Sequence, residues 1–218
     1  MIAALREHCP WMGALTHESL VEYLLEEAYE VAETIETGAD EAELKGELGD
    51  VLLQVVLHAR LAEERGTFDF GEVARGITAK MIRRNPHVFR PDGSLQDTFP
   101  ATVEEIVLKW DAVKKAERPE RTNHYEGIPE ALPALARAQK TLDRAARAGL
   151  PPLVEPVETQ EPPQDQPLVE LVETFGSEDQ LGELLLAVVG AAHSKGFDAE
   201  RALRAAVRRY QNRVPPGS

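Results

Sequence analysis

Cysteine is almost missing from this chain: Cys9 stands alone among 218 residues. A single thiol excludes an internal disulfide framework and argues against a zinc–cysteine cluster. Long apolar runs are missing as well. Hydrophobic residues make up 43% of the chain, yet no run reaches the roughly 18 apolar residues of a membrane-spanning helix. The opening MIAALREHCPW has neither the apolar stretch nor the small-residue cleavage site of a secretory signal. A cytoplasmic protein with no membrane partner is therefore expected. Positive charge is scarce: 24 Lys and Arg face 38 Asp and Glu, for a formal charge of −14. Such a balance argues against binding a nucleic acid polymer, which needs a basic surface. An anionic ligand would need a metal ion or a local basic cluster.

Strand-like alternation is missing too, and helical signals fill the space. Residues 18–37 form a long amphipathic segment with Gly38 at its C-cap position. Asp40 can cap a second helix reaching about Arg65. Asp69 can cap a third, FGEVARGITAKMIRR, which must stop before Asn85-Pro86. Thr102 to Glu117 reads as a fourth helix and Pro129 to Ala148 as a fifth. Residues 149–176 carry six prolines and the near-repeat LVEPVET and LVELVET, the pattern of an extended acidic linker or insertion. Ser177–Lys195 and Asp198–Arg213 then make a final helical pair, and the tail VPPGS is expected to be disordered. The fold class expected is all-α.

Acids crowd the first two long helices. At about 100° per residue, Leu20, Leu24, Ala28, Val31 and Ile35 form the apolar stripe of the first, with Glu18, Glu22, Glu33 and Glu36 opposite. Glu27 instead projects at the edge of the stripe, with Glu30 and then Glu26 further round. The second helix is apolar around most of its circumference, as expected for burial against its own domain and a second subunit. Along it runs one polar line: Glu47, Asp50, Gln54 and His58. Glu27 and Glu30, like Glu47 and Asp50, are three apart and share a face. Two carboxylates at 4 Å repel by about 4 kcal/mol at an effective dielectric of 20. Either the groups hold protons, or a divalent cation sits between them. All-oxygen ligation favours a hard ion, Mg2+ or Mn2+, and magnesium is commonly completed by substrate phosphates. A di-iron carboxylate site would want paired E-x-x-H ligands, and none is present.

These residues resemble the signature of the MazG-type nucleoside triphosphate pyrophosphohydrolases: Glu26-Glu27-x-x-Glu30, then Glu47-x-x-Asp50. Further matches are Cys9-Pro10-Trp11, the run from Thr16 to Leu20, Phe68-Asp69-Phe70, Arg83-Arg84-x-Pro86-His87-Val88-Phe89, and Trp110 with Lys114. The resemblance covers about residues 8–148. It implies a four-helix unit that pairs into a homodimer, with Glu27, Glu30, Glu47 and Asp50 holding magnesium. It also implies that Glu26 orients or deprotonates the attacking water. The implied reaction is hydrolysis of a nucleoside triphosphate between its α- and β-phosphates, in nucleotide-pool housecleaning. Lys80 and Arg84, four apart, are placed toward the β- and γ-phosphates, with Lys114 and Arg83 as further candidates, and Trp11 either stacks on the base or packs in the core. Arg83 and Arg84, being adjacent, do not share a helical face. His58 reads better as a buried, satisfied histidine than as a ligand, and His87 as either a site or a helix-end residue.

The chain departs from the pattern at Met12-Gly13-Ala14-Leu15, at Asn85, and in residues 177–214, where Gln180-Leu181-Gly182-Glu183 stands in place of E-L-G-D. The expected organisation is a MazG-like catalytic domain at 1–148, a linker or insertion at 149–176, and a degenerate second helical pair at 177–214. Two alternatives remain: a narrower deoxynucleotide pyrophosphatase, and a non-catalytic dimer sensing metal or nucleotide.

Overall fold

The computed structural model describes residues 1–99, 102–117, 123–150 and 176–213; a few side chains within 103–116, Lys114 among them, lie outside the description. The described residues hold nine α-helices and one isolated antiparallel bridge, Phe89 with Leu95. The all-α expectation holds. The chain divides into two units, Met1–Glu117 and Arg118–Ser218.

The first unit opens with two short helices, α1 (Ile2–His8) and α2 (Pro10–Ala14), with Pro10 in the first helical turn, where its missing N–H costs nothing. Neither is legible from periodicity, because five to seven residues are fewer than the window that reveals a helical period. Gly13 is needed here, since a Cβ at that position would sit 3.0 Å from the Arg6 carbonyl. A turn in which Thr16 and Ser19 bond each other's backbone N–H leads into α3 (Leu20–Thr37). Gly38 ends α3 in the left-handed region at φ 71°, as its position in the sequence predicts. Asp40 caps α4 (Glu41–Glu64), accepting from the N–H groups of Ala42 and Glu43 at 2.9 Å. Asp69 and Glu72 form a reciprocal capping box on α5 (Phe70–Arg84). After a loop, α6 (Val103–Ala116) packs on α5.

The core of this unit gathers Met12, Leu15, Leu20, Leu57 and Leu61, with Ile2, Cys9 and Leu53 against it. It therefore lies where α1 and α2 meet the start of α3 and the second half of α4. Met12 and Leu15, departures from the family pattern, are packing residues.

One expectation about burial needs correction, that for α3. On α3 the buried or partly buried residues are Leu20, Glu27, Val31, Ala32, Thr34 and Glu36, whereas Leu24, Ala28 and Ile35 are exposed, Ile35 by 62%. The packed side of the helix is thus not its most apolar face. A wheel finds the most apolar face, and α4 contacts the neighbouring one. On α4 the single chain covers only the second half: Leu48 and Leu52 are 52% and 53% exposed, and the buried residues begin at Gln54.

The second unit comprises α7 (Ala134–Arg147), α8 (Glu178–Ser194) and α9 (Ala199–Gln211), packed around Leu142, Ala145 and Val189. The Gln139 amide pins the α8–α9 turn, donating to the Phe197 carbonyl and accepting from the Ala199 N–H, both at 3.1 Å. Helix α7 starts at Ala134 rather than at Pro129, because Pro133 and the restricted residue before it hold the backbone extended. Ser177 and Asp198 cap α8 and α9, close to the expected bounds. The proline-rich 151–175 and the tail 214–218, for which a linker and disorder were expected, lie outside the described residues.

Candidate metal centre

A three-residue connection folds α4 back along α3, which sets their polar residues face to face. Carboxylate oxygens of Glu27, Glu30 and Glu47 lie within 4.8 Å of one another. Two oxygens on opposite sides of a magnesium ion are about 4.2 Å apart. The three are near enough for side-chain rotation to bring them onto one hard cation, and the donor set is the all-oxygen one such an ion prefers. Asp50 is exposed and outside the trio, yet its charge raises the carboxyls of both Glu27 and Glu47. Glu26 is exposed beside Glu27 and is not one of the three.

The electrostatics are those of an acid cluster lacking a counter-charge. Burial, followed by Glu30 and Asp50, pushes Glu27 above the usual carboxylate range. Burial and then the charges of Glu30, Asp50 and Glu43 do the same to Glu47. A cation would reverse both shifts. One contact opposes the rise at Glu27: the buried Gln54 amide, whose Nε2 approaches Glu27 Oε1 at 3.5 Å. Further along α4, His58 Nδ1 meets His17 Nδ1 at 2.7 Å, with the rings stacked 7° from parallel. Burial, and then His17, lowers the pKa of His58. His58 is only half satisfied, because its Nε2 is buried without a partner. His87 is buried as well, with Nδ1 unpartnered.

The basic candidates at the end of α5 converge on a carboxylate. Arg83 and Arg84 project from different faces, yet their long side chains both reach Glu117, at 2.7 and 2.6 Å. Arg84 also lies over the Trp110 ring at 5.8 Å. The two guanidinium groups hold Glu117 down at about 2. Lys80 is half-buried on α5, and the Lys114 side chain is outside the described residues. Trp11 is 61% exposed, so the core reading of that residue fails in the single chain.

Sequence reasoning missed four participants. Glu117 gave no signal, because its partners are 33 and 34 residues away. His17 could not be paired with His58 without the α3–α4 register. Gln54 was visible as a polar residue on the acidic line, but its role was not. Arg6 belongs to no motif, yet its side chain is only 10% exposed and clamps Glu64 and two carbonyls of the α2 end.

A profile of the MazG nucleotide pyrophosphohydrolase domain matches residues 15–89, which contain the acidic trio, Asp50 and the arginine pair. The nucleoside triphosphate pyrophosphohydrolase of Escherichia coli is 37% identical over 216 residues, covering 94% of this chain and 78% of that protein. The Thermotoga maritima protein named nucleoside triphosphate pyrophosphohydrolase/pyrophosphatase MazG is 36% identical, covering 95% of this chain and 78% of that one. An uncharacterized 26.1 kDa protein of Streptomyces cacaoi is 38% identical, with 96% and 76% covered. With at least 36% identity extending over more than three-quarters of these relatives, the chain belongs to the MazG family.

Proposed function

We propose that this chain is a magnesium-dependent nucleoside triphosphate pyrophosphohydrolase that cleaves between the α- and β-phosphates, releasing a nucleoside monophosphate and pyrophosphate. The observation that carries this reading is the trio Glu27, Glu30 and Glu47, drawn from two helices into a group that fits a hard cation. The activity named for two of the relatives supports the same reaction.

Glu27, Glu30, Glu47 and Asp50 would hold the cation, with Mn2+ an acceptable substitute. When bound, such an ion lowers the pKa of a coordinated water and neutralises charge on the bridging oxygen. Glu26, exposed beside Glu27, takes the proton of the attacking water. Arg83 and Arg84 receive the β- and γ-phosphates in place of the Glu117 carboxylate they hold without substrate. Lys80 and Lys114 add charge, and exposed Trp11 offers a face for the base.

The active form is a homodimer. Val21, Leu24, Leu25 and Ile35 are each at least 36% exposed on one side of α3, and Leu48 and Leu52 on α4 add to the uncovered apolar surface. A second copy bringing the same helices would cover it. Among the described residues no helix is long and apolar enough to cross a membrane, and the proposed place of work is the cytoplasmic nucleotide pool. Catalysis belongs to residues 1–148, with 149–176 as a connecting segment and 177–214 as a packing-only remnant of a second unit.

The test is direct. Each nucleoside triphosphate is incubated with the protein and Mg2+, and the products are identified. Monophosphate plus pyrophosphate is expected. Orthophosphate as the direct product would mean another phosphatase, and no turnover of any nucleotide would favour a metal or nucleotide sensor.

A further inference from the structure

Trp110 lies in α6, and the Glu117 N–H still bonds the Val113 carbonyl, so the helical path continues through Glu117. Residues seven apart share a helical face. Trp110 and Glu117 therefore stand on one side of α6, and Arg84, the last residue of α5, reaches both.

The two arginines at the end of α5 are not held alike. The Arg83 side chain is 56% exposed, and among the described residues its polar partner is Glu117 alone, through Nε at 2.7 Å. The Arg84 side chain is 20% exposed. Its Nε and Nη2 donate to Glu117 Oε2 at 3.1 and 2.6 Å, and its guanidinium lies over the half-buried Trp110 ring at 5.8 Å. A guanidinium is planar, so it donates hydrogen bonds from its edge and stacks on an aromatic ring with its face. The two contacts of Arg84 thus do not compete. When a phosphate takes the place of the Glu117 carboxylate, the edge turns to the phosphate and the face stays on the ring. Arg83 has no such second anchor and must give up its rotamer freedom on binding.

We propose that Trp110 is a positioning residue for Arg84. It holds the guanidinium plane so that the edge occupied by Glu117 is already aimed at the incoming triphosphate. Arg84 is then the pre-set phosphate ligand and Arg83 the adaptable one. This inference rests on Arg84 receiving phosphates in the proposed reaction.

The experiment uses the full chain with Mg2+ and inorganic tripolyphosphate, which carries the phosphates of a substrate and no base. Calorimetry compares wild type, Trp110→Leu, Trp110→Phe, and Trp110→Leu in an Arg84→Ala background. Trp110→Leu should bind about three- to tenfold more weakly than wild type. Trp110→Phe should recover most of that loss, because it keeps an aromatic face. With Arg84 already alanine, the leucine substitution should add nothing. The KM for a nucleoside triphosphate should rise by a similar factor in Trp110→Leu, with kcat little changed. Equal tripolyphosphate affinity in wild type and Trp110→Leu overturns the inference; a KM that still rises would then assign the ring to the base. An undiminished loss in the Arg84→Ala background also overturns it, because Trp110 would be acting without Arg84. A wild type that turns over no nucleotide overturns the proposed function and this inference with it. Should Trp110→Leu fail to fold, wild type decides. Nuclear Overhauser contacts between the Trp110 ring and the Arg84 side chain should persist in the tripolyphosphate complex, and their loss refutes the positioning role.

Discussion

Arg6→Ala should cost far more than an ordinary surface arginine. The Arg6 guanidinium is 10% exposed and forks onto Glu64, with Nη2 at 2.8 Å, while Nη1 donates to the Met12 and Leu15 carbonyls. Met12 O keeps a second donor, the Leu15 N–H at 3.3 Å. Leu15 O sits at a core residue and loses its guanidinium partner. Glu64 retains Arg60 at 3.0 Å. The ion pair is half-screened and worth little by itself; the orphaned carbonyl and the lost charge-assisted bonds together cost about 2–4 kcal/mol. For a unit of the size of Met1–Glu117, the midpoint shifts by roughly 4 °C per kcal/mol. Thermal unfolding followed by circular dichroism should therefore fall by roughly 8–16 °C. Arg6→Lys should recover only part of this, because an ammonium cannot fork onto a carboxylate and two carbonyls together. The pH dependence is a further check. Glu64 is held below its ordinary value of 4.5, chiefly by the Arg6 hydrogen bonds and less by those of Arg60. A depressed carboxylate stabilises above its unfolded value and loses that contribution as pH falls through the folded one. The gap between wild type and Arg6→Ala should thus narrow on acidification below about 4.5. A loss under about 1 kcal/mol at pH 7, or full rescue by lysine, would refute the clamp.

Other outcomes follow from the same structure. Glu27→Gln and Asp50→Asn should each lower turnover by at least about a hundredfold while far-ultraviolet circular dichroism stays unchanged; surviving activity in either would remove that residue from the ligand set. Leu24→Glu places a charge on the exposed apolar face of α3, so light scattering should show a dimer for wild type and a monomer for the variant. If both have the same mass, that face is not the interface. Glu117→Gln weakens the competitor for Arg83 and Arg84, and the KM for nucleotide should fall; a higher KM would mean that Glu117 holds the arginines in their working position.

Much of this could be read from local chemistry. Asp40, Gly38 and the Asp69 box sit where their side chains and φ preferences put them, so the long helices of the first unit have nearly the expected bounds. The acid trio was legible because two three-residue spacings on neighbouring helices restrict where carboxylates can meet. What could not be read depends on which face meets which. The α3 wheel identified the most apolar face, but in the single chain Glu27 and Thr34 lie on the packed side, while Leu24 and Ile35 lie outside. Glu117 and His17 become neighbours of Arg84 and His58 only through tertiary contact. No periodicity encodes contacts of that kind.

The central claim is that acids of α3 and α4 hold a cation that receives a triphosphate for cleavage at its first anhydride. Phosphorus NMR of a reaction containing the full chain, Mg2+ and a nucleoside triphosphate observes that bond directly. Pyrophosphate and nucleoside monophosphate should appear in equal amounts, and neither should form when chelator replaces Mg2+. Orthophosphate with a diphosphate, or equal turnover in chelator, would contradict the account.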